Sequence, residues 1–364
     1  MKRIISLCLA FPLLLSGCGE IGTKVPVEKT DLIGVLGFDY LEDDNYKLIA
    51  AIPQNSPEAE EKTQIFTVNT DIITKGIVEI ESSSDKKVAL NQLRVVLISE
   101  EFASHDGKLR EVIHHLYRNP QVSTKVIIAI VKGDTEELLS GNYSDKPGII
   151  NYLAGVLRPS INTAFNPNTT IHDFMYTDTN PNFDPIVPVI EMKEGKIEVV
   201  GVALFKDEKM VKVVNPDDSL IIQALQGRKK LSALTLNISN EEKVLIDLID
   251  NKIKILSNKS FENPEVTIKV KIDGSMIEFK GNSRFNTPAS IKKLEKEIDK
   301  SLKKRMNKFL KELQELQVDP IGLTENIRRH HKGEWTKEMT RETIARLKWD
   351  IQVETTVKNT GILK

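Results

Sequence analysis

Between Ala289 and Val318, the apolar residues Ile291, Leu294, Ile298, Leu302, Met306, Phe309, Leu313 and Leu316 step by three or four without a break. That spacing puts them on one stripe of an α-helix. Pro288 stands where the helix can begin and Pro320 lies beyond its end, as expected for a residue that has no N–H to give a helix interior. At 1.5 Å per residue the predicted helix is about 45 Å long. It has a buried side and a solvated side, and the solvated side is basic. Lys292, Lys293, Lys296, Lys300, Lys303, Lys304, Arg305, Lys308 and Lys311 face only Glu295, Glu297, Asp299, Glu312 and Glu315. Such a face can be attracted to anionic headgroups or an acidic partner. It can also be an ordinary solvated face, supported by pairs one turn apart such as Glu295/Asp299 flanked by Lys296/Lys300. The second reading is the expected one.

The rest of the 364 residues alternates strands and helices. Leu32–Phe38 and Tyr46–Ile52 read as a hairpin around the charged turn 42–45, and Ile65–Val68 as a strand. Asp71–Ile80 has helical spacing. Arg94–Ser99 and Lys125–Lys132 have the composition of buried strands. Between them, Lys108–Tyr117 carries Leu109, Val112, Ile113 and Leu116 on one helical face, and Asn119-Pro120 stops it. Asp134 is placed to cap a short helix to Leu139. Strand–helix alternation of this kind implies strands that are at least partly parallel. Prolines and asparagines then crowd the stretch from Pro159 to Pro188. Proline removes ladder donors and asparagine favours turns, so a domain boundary is expected between about Phe165 and Pro188.

Beyond it, Ile186–Met192, Ile197–Phe205 and Met210–Val214 read as a meander, and Asp217–Leu225 as a helix. A hairpin is expected over Val266–Ile272 and Met276–Phe279 around Asp273-Gly274. Thr336–Leu347 reads as a helix before the alternating strand Asp350–Val357. The fold class is therefore mixed α/β (α+β): a multi-domain body of small mixed sheets packed with helices, with one long amphipathic helix near the C-terminus. A length of 364 residues suits two or three domains.

With 51 Lys+Arg against 52 Asp+Glu, the chain lacks the basic excess of a dedicated nucleic-acid binder. Hydrophobic residues at 40% and charged residues at 28% fit neither wholesale disorder nor a polytopic membrane protein. Aromatics at 5% weigh against an aromatic-lined sugar or amino-acid pocket.

The N-terminus is an address rather than part of the fold. Lys2 and Arg3 precede a mostly apolar run, Ile4–Leu15, too short for a bilayer core that needs about 18 or more apolar residues. The layout is that of a secretory signal peptide. The following Leu15-Ser16-Gly17-Cys18 resembles the bacterial lipobox. By that resemblance residues 1–17 are removed, and Cys18 becomes the mature N-terminus as an N-palmitoyl, S-diacylglycerol cysteine. Residues 18–30 form a lipidated tether. Two acyl chains suffice for stable anchoring, whereas one alone is marginal. Cys8 leaves with the signal, so the two cysteines are not a disulfide. Losing Lys2 and Arg3 from the 51 basic residues leaves 49 against 52 acids.

No catalytic or metal constellation emerges. Gly17-Cys18-Gly19-Glu20-Ile21-Gly22 matches a dinucleotide fingerprint in letters only, because it lacks the required strand before and helix after. Ser-x-x-Lys occurs at Ser84/Lys87, Ser290/Lys293 and Ser301/Lys304 without the partner motifs of an acyl-transferring serine enzyme. His114 and His115 are adjacent and point about 100° apart on a helix, so they share no metal face. His105, His172, His330 and His331 complete the set. Asp43-Asp44 and Asp217-Asp218 lack a calcium loop's alternating carboxylates. Sequons at Asn142, Asn168, Asn237 and Asn258 carry little weight behind a bacterial lipobox. No cofactor and no enzyme activity are expected.

A series of short motifs runs along the chain. The lipobox is followed by Ile33-Gly34-Val35-Leu36-Gly37-Phe38-Asp39. Then come Arg94-Val95-Val96-Leu97-Ile98-Ser99-Glu100-Glu101-Phe102-Ala103 and Arg118-Asn119-Pro120. Asp184-Pro185-Ile186-Val187-Pro188 and Gly201-Val202-Ala203-Leu204-Phe205-Lys206-Asp207 are next. Asp319-Pro320-Ile321-Gly322-Leu323, leading to Glu334-Trp335, closes the series. In order and spacing these resemble the Ger(x)C family, the lipoprotein C subunits of nutrient germinant receptors in endospore-forming bacteria. The chain departs from the family in having Gly19-Glu20 after the lipidated cysteine, where members often have Trp-Asp.

The resemblance implies a non-enzymatic subunit of three mixed α/β domains. It would sit on the outer face of the inner spore membrane beside two integral-membrane subunits, A and B. The expected division is 31–188 and 189–364, the latter open to further division. The alternative reading is an extracytoplasmic solute-binding lipoprotein, which would need two similar lobes around a cleft.

Overall fold

A computed structural model describes residues 26–54, 62–143, 145–158, 165–229, 231–239 and 241–359. Cys18 and the signal segment lie outside them. Among the described residues no helix is long and apolar enough to cross a membrane.

The first half builds one eight-stranded sheet. After β1 (Thr30–Leu32), β2 (Val35–Tyr40) and β3 (Tyr46–Pro53) form the expected hairpin. Its turn places Asp43 and Asp44 in the left-handed region at φ 56° and 61°, which short polar side chains tolerate better than most. β4 (Thr63–Thr70) and α1 (Ile73–Ser82) precede β5 (Lys87–Ala89), which pairs with β1, and β6 (Val95–Ser99). α2 (Glu100–Ala103) and α3 (Lys108–Arg118) lead to β7 (Ile127–Val131), α4 (Thr135–Leu139), α5 (Ile149–Leu157) and α6 (Ile171–Thr179). β8 (Ile186–Lys193), β9 (Lys196–Lys206) and β10 (Lys209–Val214) finish the sheet.

The strand order is β10-β9-β8-β7-β6-β2-β3-β4, and the four central strands are parallel. These strands are apolar on both sides, as a covered parallel sheet requires. Leu36, Phe38, Val96, Ile98, Ile128 and Ile130 face α1, α3 and α6. Val35, Val95, Leu97, Ile127 and Ala129 face α4 and α5.

The Pro/Asn stretch is built differently from the linker its composition suggests. α6 lies inside it, with a capping box between Thr170 and Asp173. Asn166 is buried and donates to the Leu157 carbonyl. Pro188 itself sits in β8, so the sheet takes strands from both sides of the expected boundary.

The second half adds α7 (Pro216–Leu225) and a four-stranded sheet, ordered β11 (Leu234–Asn237), β12 (Lys243–Ser257), β13 (Glu265–Lys280) and β14 (Lys348–Asn359). Between β13 and β14 come α8 (Pro288–Leu316), α9 (Glu325–Arg328) and α10 (Lys337–Arg346).

The hairpin expected at Asp273-Gly274 is absent. β13 runs straight through these residues, paired along its length with β12, which the sequence reading missed. Gly274 serves close approach: a Cβ there would lie 2.6 Å from Ile246 Cδ1. The long helix is present as α8, with Pro288 in its first turn and Thr287 as N-cap. Leu294, Ile298, Leu302, Met306, Phe309 and Leu313 bury its stripe in the core that Val244, Ile246, Ile268 and Val270 also line. That core reaches Val202, Leu204 and Val214 of the first sheet.

Leu302 is 1% exposed in the middle of this stripe. Leu302→Ala is expected to cost about 2–5 kcal/mol of stability in urea denaturation. Lys304→Ala on the solvent side should change it by no more than about 0.5 kcal/mol.

Candidate functional site

Four of the sequence motifs, far apart along the chain, meet at one buried joint. Asp184, just before β8, accepts both arms of the Arg341 fork: Nη1 reaches Oδ2 and Nη2 reaches Oδ1, each at 2.5 Å. The Asp319 backbone N–H donates to Asp184 Oδ2 at 2.6 Å, and the Asp184 N–H donates back to the Asp319 carbonyl at 3.1 Å. Asp319 is itself fully buried and caps the turn after Pro320. Its Oδ1 accepts from the N–H groups of Gly322 and Leu323, and its Oδ2 from the N–H and hydroxyl of Thr324.

Arg341 also reaches Asp207 Oδ1 at 3.1 Å and the Gln317 carbonyl at 2.9 Å. Lys206 donates to the Gln317 side chain, and Lys337 to the Phe183 carbonyl. Trp335 Nε1 donates to Thr340 Oγ1, which donates to the Pro181 carbonyl.

Local sequence makes this convergence possible. Gln317 ends α8 in the left-handed conformation at φ 58°. Gly322, at φ 82°, lies where a Cβ would come within 2.4 Å of the Phe183 ring. Burial alone would lower the Arg341 pKa. The hydrogen bond and charge of Asp184, with Asp207, outweigh it and push it up. Burial pushes the Asp319 carboxyl up from its ordinary value, against the N–H bonds of the turn and with help from the charge of Asp184. The joint ties together segments more than a hundred residues apart in the chain.

A second cluster lies in the crevice outside the carboxyl ends of β2, β6 and β7, where open α/β sheets commonly bind ligands. It is a cavity of about 520 Å³ lined by Asp39, Lys47, Ser99, Glu100, Glu101 and Asp134 among others. Several of its polar groups are engaged by neighbouring backbone and side chains. Asp39 accepts from Thr135 N–H at 3.0 Å and Glu136 N–H at 3.4 Å, and burial pushes its carboxyl up. Ser99 caps α2, and Asp134 caps α4 as expected. Lys47 bridges Glu136 at 2.8 Å and Asp134 at 3.5 Å.

The motif Arg118-Asn119-Pro120 lines a separate open pocket with His114 and His115. There His114 Nε2 lies 3.7 Å from Asp178, which also pairs with Arg110 at 2.8 Å. The other histidines are dispersed. His105 stacks on Tyr40 and His331 packs on Trp335. His330 Nδ1 meets the Asn326 carbonyl, and the His172 N–H donates to the Thr124 carbonyl. Among the described residues no group of three or more His, Cys, Asp or Glu could hold a metal. The sequence reading missed Arg341. It sits in a helix rich in charged residues, and only its burial distinguishes it.

Comparison with known proteins adds a family. Residues 23–192 match the model described as spore germination protein N-terminal domain, and residues 200–361 match spore germination B3/GerAC like, C-terminal. Spore germination protein GerQC of Bacillus cereus is 28% identical over 364 residues, spanning 100% of this chain and 99% of that one. Spore germination protein KC of Bacillus subtilis is 20% identical over 393 residues, spanning 98% and 95%. The crystal structure of the GerBC protein superposes with a TM-score of 0.60 at 17% identity, covering 89% of this chain and 97% of that one.

Two predictions follow from the joint. Arg341→Ala removes the two-armed contact from the buried Asp184 carboxylate, leaving Lys337 Nζ at 3.6 Å as its cation, and is expected to cost about 3 kcal/mol in chemical denaturation. Arg341→Lys should recover little of it, since a lysine cannot make the two-armed contact. Asp319 holds its proton more tightly folded than unfolded, so its contribution to stability falls as pH rises through its folded pKa, which lies above 3.8. Relative to Asp319→Asn, the parent chain should therefore lose stability across that window, read by urea melts at successive pH values.

Proposed function

The chain belongs to the Ger(x)C family of spore germination proteins, and from that premise we propose that it is the lipid-anchored C subunit of a nutrient germinant receptor. In this reading it performs no chemistry of its own. It sits at the outer face of the inner spore membrane beside the two integral-membrane subunits, A and B, and contributes interaction surface to nutrient-triggered germination. The observation that carries the proposal is the succession of the two matched germination domains over almost the whole chain, directly behind Leu15-Ser16-Gly17-Cys18.

Cys18 supplies the attachment, carrying N-palmitoyl and S-diacylglycerol groups. The alternative role, an extracytoplasmic solute-binding lipoprotein, calls for two similar lobes. An eight-stranded and a four-stranded sheet of different topology weigh against it.

Cys18→Ala is expected to move the protein from the membrane fraction to the soluble fraction in detergent-free buffer. A mutant that still sediments with membranes would place the anchor elsewhere. Deleting the gene should slow or abolish germination with at least one nutrient, followed by loss of optical density of the spore suspension. Unchanged germination with every nutrient, together with the absence of neighbouring genes for multi-spanning membrane proteins, would remove the receptor role.

A further inference from the structure

The outward side of α8 carries Lys292, Lys293, Lys296, Lys300, Lys304 and Lys308, all exposed. Among the described residues none of these six ammonium groups has a carboxylate within ion-pair distance. The acids that alternate with them in sequence are turned away. Glu295 Oε1 accepts the Val357 N–H at 2.9 Å, and Asp299 Oδ1 accepts the Thr355 N–H at 2.8 Å. Both carboxylates thus cap the free edge of β14, and burial pushes the Asp299 carboxyl up. Glu312 pairs with Lys212 of β10, and Glu315 with Lys311 at 3.9 Å. Among the described residues, Glu297 is the acid of α8 whose carboxylate stays beside the lysines with neither an ion pair nor a backbone N–H bond.

Five of the lysines, Lys292, Lys296, Lys300, Lys304 and Lys308, fall one turn apart over about 24 Å of helix. Like charges at that spacing repel, so the face is costly unless an anionic surface meets it. Neither of the two cavities described above touches it. It also carries no exposed large apolar side chain of the kind that fills the centre of a protein interface. A long, rod-like row of exposed ammonium groups suits many weakly held phosphates better than one shaped partner.

We propose that this lysine face of α8 rests on the anionic headgroups of the membrane to which Cys18 is attached, so that the lipid tethers the body and the helix orients it. The proposal builds on the anchoring at Cys18 but is tested without it. The probe is the chain from residue 18 onward carrying Cys18→Ser, so that no acyl group contributes to binding. It is sedimented with phosphatidylcholine vesicles with and without phosphatidylglycerol. Binding is expected only with phosphatidylglycerol, and added salt should abolish it.

Neutralising Lys293, Lys296, Lys300 and Lys304 to glutamine should weaken binding about tenfold or more. The same change at Lys87, Lys125, Lys132 and Lys193, all outside α8 and in the first half of the chain, should leave most of it. Thermal melts confirm that both variants fold. Equal binding to both vesicle types, or equal losses in the two variants, would overturn the proposal. Salt-sensitive binding to polyglutamate but not to phosphatidylglycerol would also overturn it and point to an acidic protein. If the vesicles fail while Cys18→Ala still releases the protein from membranes, the anchor stands and only the orienting role of α8 is lost.

Discussion

Taking two opposite charges out of water costs several kcal/mol per ion, and their attraction repays it only when geometry and further hydrogen bonds are good. The chain does this at Asp184 and Arg341. The fork of Arg341 is matched by both oxygens of Asp184, and the Asp319 N–H supplies a third donor. The consequence is positional. Asp184 opens β8 of the first sheet, Asp319 follows the long helix of the second half, Arg341 belongs to the helix before β14, and Asp207 marks the β9–β10 turn. A slip in the segment of Asp184 or of Arg341 would break the two-armed contact of a buried pair. The pair therefore specifies how the two sheets are set against each other more than it adds net stability.

The apolar cores are compatible with that role. One cluster runs from the stripe of α8 through β12 and β13 to Val202, Leu204 and Val214 of the first sheet. Hydrophobic contact favours this association but is non-directional. The direction comes from the polar joint beside it, where Gly322 lets the turn after Pro320 approach Phe183 and Trp335 is held through Thr340 to the Pro181 carbonyl.

Elements whose cause is local were legible in the sequence. Periodicity located α3, α8 and α10, Asp134 was placed as a cap, and the double-sided apolar runs at Val95–Ser99 and Ile127–Val131 became the parallel centre of the sheet. Local chemistry misled where its purpose was tertiary. Asp273-Gly274 reads as a turn, yet the glycine is there because Ile246 packs against its Cα. The Pro/Asn stretch reads as a linker, yet Asn166 and Asn182 are buried, each donating a hydrogen bond, to the Leu157 carbonyl and to Glu325. The motifs at Asp184, Lys206-Asp207, Asp319 and Trp335 could be quoted from the sequence. Their meeting point could not, because it depends on Arg341 and on contacts more than a hundred residues apart.

The long helix makes the same distinction in charge. Counted along the sequence, Glu295 and Asp299 offset neighbouring lysines, as i,i+4 pairs on a solvated face would. In space they serve the edge of β14, whose unpaired N–H groups would otherwise template association with another strand. An edge strand that must be capped and a helix that must be solvated thus draw on the same few acids. The edge takes Glu295 and Asp299, and the lysines keep their charge. The positive density on α8 is thereby coupled to the protection of the sheet: the carboxylates that keep β14 from pairing elsewhere are those whose withdrawal leaves the lysine row bare.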